Sequence, residues 1–148
     1  MNLIARTTRM EPLVTDECHR LLYSKQTGRL AWVNDGGDVE IVPVNYLFDR
    51  GAVLVRTAEG SKLDATIRGA PVAFQIDGFD VTRRCGWSVL VKGRAAEVWD
   101  SPELDYLRRL PLHPWAPGDK EHYLVVFPTA ITGRCIDQAS SSHRDWWS

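Results

Sequence analysis

Apolar residues recur along this chain with two periods, and the shorter one dominates. Cys18, Leu21 and Leu22 fall at i, i+3 and i+4, the stripe of a short amphipathic helix. Thr15 is its expected N-cap, Asp16 and Glu17 lie in its first turn, and it should end before Gly28. Elsewhere alternation predicts strands: Gly28 to Val33, Val39 to Phe48, Ala52 to Thr57, Pro71 to Asp77, Gly86 to Trp99 and His122 to Phe127. Ile131 to Ile136 would extend the last strand beyond Pro128. Asn34-Asp35-Gly36-Gly37 and Asp49-Arg50-Gly51 are turn sequences, so the first three strands read as an antiparallel meander. Asp77 to Arg84 reads as a loop or wide hairpin, and Gly93 as a bulge or close approach. Ser101 as N-cap and Pro102 at the first helical position open a second helix, with Leu104, Leu107 and Leu110 on one face until Pro111. Pro111 to Gly118 is a proline-rich loop.

About six or seven short strands with brief helices between them predict a mainly β fold, a small antiparallel β-barrel. The 148 residues suit one domain, with 1–14 as an N-terminal extension and 138–148 as a tail ending in Trp146-Trp147. Hydrophobic residues make up 44% and charged residues 25%, ordinary globular usage. A net charge of −1 gives no electrostatic reason to expect nucleic acid or acidic lipid as a partner. No apolar run is long enough to cross a bilayer and the N-terminus lacks a signal-peptide pattern, so a cytoplasmic protein is expected. Three scattered cysteines and four histidines show neither a disulfide framework nor metal-ligand spacing. Phosphate-loop, dinucleotide-fingerprint and nucleophile-elbow motifs are absent.

One stretch gathers binding chemistry. The strand from Ala52 ends in Arg56 and Thr57; a polar turn follows, and Ser61 and Lys62 open a segment, Lys62 to Arg68, with helical character. Two cations, two hydroxyls and a helix N-terminus favour an anion, most simply a phosphate. An ordinary strand-to-helix connection capped by Ser61 accounts for the same residues.

The order and spacing of several segments resemble the pyridoxamine 5′-phosphate oxidase-like, flavin-binding split-barrel family. The carriers are Thr27-Gly28-Arg29-Leu30, Ile41-Val42-Pro43-Val44-Asn45-Tyr46, Arg56 to Asp64, and Gly86 to Ala95, within a span from Thr15 to Asp137. The resemblance implies a six- to seven-stranded antiparallel split barrel, a homodimer, and FMN in the clefts between subunits. It would place Ser61 and Lys62 at the phosphate, with Arg56 and Thr57 at the end of the preceding strand. Val44, Asn45 and Tyr46 would lie along the isoalloxazine edge, and Trp87 and Ser88 of the other subunit near the ring or ribityl chain. Arg134 resembles a position near the family's C-terminal cleft, and is equally readable as a surface arginine. Pro43, which lacks an N–H, suggests a strand edge or a bulge there.

The function this implies is a flavin-dependent oxidoreductase transferring hydride to or from a small organic substrate. A cofactor that carries the chemistry removes the need for an acid–base triad. Two alternatives share the fold: a deazaflavin-dependent reductase, with Arg29, Arg56 and Arg68 as candidates for the cofactor's longer acidic tail, and a non-catalytic flavin-binding or sensing protein. The arginine-and-histidine substrate segment of true vitamin-B6 oxidases has no matching form in the tail Ser142-His143-Arg144-Asp145.

Overall fold

The structure, a computed structural model, describes residues 8–57, 69–115 and 122–138. Among them are seven strands and two helices. These are β1 (Thr8–Pro12), α1 (Thr15–Ser24), β2 (Thr27–Val33), β3 (Val39–Asp49) and β4 (Ala52–Thr57). There follow β5 (Pro71–Asp80), β6 (Cys85–Glu97), α2 (Ser101–Arg108) and β7 (His122–Gln138). The predicted segment Lys62 to Arg68 and the tail from residue 139 lie outside the described residues.

The sheet order is β1-β7-β4-β3-β2-β5-β6, every neighbouring pair antiparallel, and β6 returns to β7 to close six strands into a barrel with β1 added outside it. Closure rests on the β6–β7 ladder, which runs from Gly86↔Ile136 to Glu97↔Leu124. β7 is one strand of 17 residues and passes straight through Pro128. A register shift between Lys92 and Gly93 makes this possible, since the bulge takes Pro128 where no ladder N–H is needed. Gly93 is required at the bulge because a Cβ there would stand 2.2 Å from the Phe127 carbonyl oxygen.

Inward positions follow the period-two pattern. Leu30, Phe74, Ile76, Val89, Val91 and Val126 fill the barrel, and α1 closes one end with Cys18, Leu21 and Leu22. A second cluster lies outside the wall, where Leu107 of α2 and Leu112 cover Leu54, Tyr123 and Val125. The β3–β4 turn puts Arg50 (φ 49°) and Gly51 (φ 77°) in the left-handed region, as a two-residue hairpin demands. Arg50 is held there by Asp49 and Glu103, with its guanidinium 4.1 Å above the Tyr106 ring, so the turn and α2 are fastened together.

Three expectations are corrected. The caps are Val14, without a side-chain bond, and Asp100, whose carboxylate accepts from the Glu103 N–H; Thr15 and Ser101 are the first helical residues. Of the loop and the wide hairpin expected for Asp77 to Arg84 the structure has the hairpin, and what moves is the end of β5, from Asp77 to Asp80, with a four-residue turn (Arg84 at φ 52°) leading into β6 at Cys85. Part of the expected N-terminal extension is β1, paired to the end of β7.

Gly93→Ala should lower unfolding stability by about 2–3 kcal/mol, because its methyl meets backbone that cannot move aside. Urea denaturation measures this; an unchanged midpoint would show that the bulge tolerates a side chain.

Candidate functional site

β3 changes partner part-way along. Val39 to Asn45 pair with β2, whereas Tyr46 to Asp49 pair with Ala52 to Val55 of β4. Among the described residues no strand pairs with the other edge of Val39 to Asn45, and β4 runs on as Arg56 and Thr57 alongside β7. The barrel wall is therefore split between Pro43-Val44-Asn45 on one lip and Arg56-Thr57 on the other. The β2–β3 ladder has no register shift, so Pro43 marks an edge and not a bulge.

Alternation then sorts the predicted binding residues by face. Val44 points inward and packs against the core. Asn45 points outward, where its Oδ1 accepts from the Trp115 main-chain N–H at 2.8 Å. Arg56 also points outward; it donates to the Leu112 carbonyl at 3.1 Å, and its guanidinium lies 5.3 Å from the Tyr123 ring centroid. These two side chains pin the segment after α2 across the split. Thr57 faces inward, is 5% exposed, and its Oγ1 has no hydrogen-bond partner among the described residues. A buried hydroxyl in that state has lost its water without replacement, which costs about 1–3 kcal/mol. Its cross-strand neighbour is His122, which pairs with the buried carboxylate of Glu97.

Tyr46 and Trp87 are core side chains. Tyr46 is 2% exposed, meets Phe74 edge-on, and donates its hydroxyl to the Leu22 carbonyl at the end of α1 at 2.5 Å. Burial pushes its phenol well above the usual range. Trp87 is 3% exposed, in phase with Val89 and Val91, and its ring is packed among core residues. Any contact these two make with a ligand is through their main chains. Ser88, one residue on, faces outward. Ser61, Lys62 and Arg68 lie outside the described residues.

Two adjoining cavities lie on the outer face of β2, β5 and β6. The larger, about 680 Å³, is lined by Arg29, Ala31, Ile41, Gln75, Ser88 and Leu90, with Arg134 and Thr132 from β7 and Met10 to Pro12 from β1. That volume suits a cofactor-sized ligand. Arg29 reaches Asp77 at 3.2 Å across the β2–β5 ladder. Gln75, Leu90 and Thr132 escaped sequence reasoning, although their outward phase in strands with apolar residues on both faces was a usable signal. The smaller cavity, about 450 Å³, shares Ala31 and Ala73 with the larger. No helix among the described residues is long and apolar enough to cross a membrane.

The sequence profile of pyridoxamine 5′-phosphate oxidase matches residues 15–135. The chain belongs to the pyridoxamine 5′-phosphate oxidase family. An uncharacterised protein of Mycobacterium tuberculosis strain H37Rv is 37% identical over 123 residues, 80% of each chain. The FAD-binding protein of Mycobacterium smegmatis superposes with a TM-score of 0.72 at 35% identity, over 86% of this chain and 98% of that one. An FAD-binding protein from Mesorhizobium loti gives 0.69 at 25% identity, over 85% and 97%. The match to the pyridoxamine 5′-phosphate oxidase family takes in α1, both lips of the split and the β6–β7 closure, and leaves out β1.

Tyr46→Phe should cost about 1–3 kcal/mol by stranding the buried Leu22 carbonyl. Its raised phenol contributes stability that is complete below the unfolded value near 10 and is lost as pH rises above it. The variant should therefore also lose part of the alkaline slope. Denaturation from pH 7 to 11 checks both; equal slopes would remove Tyr46 as the source.

Proposed function

We propose that this protein binds a flavin through its FMN moiety, alone or within FAD, and acts as an oxidoreductase on a small organic substrate. The observation that carries this reading is the Thr57 hydroxyl, buried at the lip of the split with no partner. A phosphate or ribityl oxygen would satisfy it, and Ser61 and Lys62 follow within five residues. The two FAD-binding proteins of similar sequence and fold support a flavin as the ligand class. When bound, the isoalloxazine supplies hydride acceptance and donation.

The residues themselves bind and orient. Thr57 donates to the tail, with Lys62 supplying charge. Ile41, Ala31 and Leu90 offer a dry surface for a planar ring, and Ser88 and Gln75 can hydrogen-bond at its edge. Arg29 and Arg134 place positive charge beside the same cavity, which favours the reduced, more negative ring. Asn45 and Arg56 act one step removed, by holding residues 112–115 over the split.

The same reading makes the protein a homodimer in which a second copy covers the outer face. Val33, Val39 and Ile41 are 56%, 76% and 62% exposed around the cavities, more apolar surface than a lone barrel leaves open without use. Ile41→Asp should yield monomers in analytical ultracentrifugation and release flavin with them. A dimer that survives the substitution would place the interface elsewhere.

Thr57→Val tests the site. It should weaken FMN binding roughly tenfold and riboflavin binding far less, without destabilising the ligand-free protein, because no existing bond is removed. Absorbance titration and thermal unfolding measure the two effects; equal losses for FMN and riboflavin would move the phosphate away from Thr57. Turnover with a nicotinamide donor and a panel of quinones and nitro compounds tests the oxidoreductase activity, and flavin binding without turnover would leave a binding protein.

A further inference from the structure

One end of the barrel is plugged by the apolar face of α1, and the other is ringed by polar side chains. At this second mouth β2 ends at Val33, β4 at Thr57 and β6 at Glu97, and β7 begins at His122. Trp32, Thr57, Glu97 and His122 each stand at or next to one of those termini. They share the inward phase of Leu30, Val55, Ala95 and Leu124. A barrel of so few strands has room inside only for side chains, so these four make one polar layer across it.

Two observations mark the layer as a binding site. Thr57 Oγ1 and Trp32 Nε1 are both buried without a hydrogen-bond partner among the described residues, and Trp32 is only 4% exposed. No other buried side-chain nitrogen or oxygen among the described residues is in that state. Directly across the β4–β7 ladder from Thr57 stands His122, whose Nδ1 meets a carboxylate oxygen of the buried Glu97. A carboxylate in contact favours the protonated imidazole. The Trp99 ring meets His122 edge-on. Other charged groups near this mouth have partners of their own. Glu40 of β3 accepts from Asn34, Arg94 of β6 donates to the Gly69 carbonyl, Arg56 of β4 faces outward to Leu112, and Asp100 caps α2. β5 brings no charged side chain to this end.

The indole N–H can only donate, as can an imidazolium, and the Thr57 hydroxyl is unspent. Donors and a positive charge, beside carboxylates already engaged, match a phosphoryl group with its acceptor oxygens and negative charge. We propose that His122, held by Glu97, is a cation of the flavin-phosphate site, with Thr57 and Trp32 donating to the same phosphate. This rests on the flavin reading above. Glu97 is a positioning residue, since it acts through His122.

Absorbance titrations with FMN and riboflavin from pH 7 to 9 test it, a range above the second ionisation of the phosphate at about 6. FMN affinity of the wild-type protein should fall roughly tenfold as His122 loses its proton, while riboflavin affinity holds within a factor of two. At pH 7, His122→Gln and the isosteric Glu97→Gln should each lower FMN affinity roughly tenfold and spare riboflavin. Glu97→Gln should add nothing further to His122→Gln, a coupling that a merely structural role would not give. A wild-type FMN affinity flat from pH 7 to 9, an equal fall for riboflavin, or additive losses would overturn the role of His122 and leave the flavin reading standing. Failure of both flavins to bind the wild-type protein would overturn both.

Discussion

A β-strand has two edges, and β3 fills them unequally: β2 pairs one edge from Val39 to Asn45, and β4 pairs the other only from Tyr46 to Asp49. Its first half takes β2 and its second half takes β4, with the exchange between Asn45 and Tyr46. β4 pairs with β7 along its other edge from Val53↔Val126 to Thr57↔His122, so beyond Val55 its edge toward β3 has no strand partner among the described residues. The split in the wall follows from that exchange. So does the site, since the lips of the split carry a main-chain edge with no strand partner among the described residues and a buried hydroxyl without a bond.

The split holds its shape because other contacts bridge it at a distance. The 12 paired positions of β6 and β7, from Gly86↔Ile136 to Glu97↔Leu124, close the barrel on the far side. α1 plugs the interior and is tied to β3 by the Tyr46 hydroxyl at the very point where the strand changes partner. On the outside, Asn45 and Arg56 each hold one main-chain atom of the segment after α2. An inner tie and an outer tie thus meet at the exchange point and fix the geometry of both lips.

Much of the fold was legible in the sequence, because a closed antiparallel barrel turns period-two alternation into burial with few exceptions. Gly93 could be read as a close approach, and the ladder shows why. Pro128 could not be read fully: the strand was expected to extend beyond it, and the bulge at Thr129, where β7 has one more residue than β6, shows how 17 residues stay continuous. β1 was illegible because Thr8 to Pro12 carry no alternation of their own and become a strand only against β7. Within the site, alternation alone sorts the residues that the family resemblance groups together. Tyr46 is in phase with Val42, Val44 and Phe48, and Trp87 with Val89 and Val91, so both were marked as core by their spacing. Arg56 and Thr57 are adjacent and so face opposite ways; one ties down a loop and the other awaits a partner.

On the function proposed above, the lips of the split and the larger outer cavity form one binding surface for a flavin. Hydrogen–deuterium exchange on the protein with and without saturating FAD tests it most directly. Saturating flavin should add protection in peptides covering Ile41 to Asn45, Arg56 to Thr57 and Ser88 to Leu90, with little change in α2 or the β3–β4 turn. Protection centred on α2 and the β3–β4 turn, with those three stretches unaltered, would contradict it.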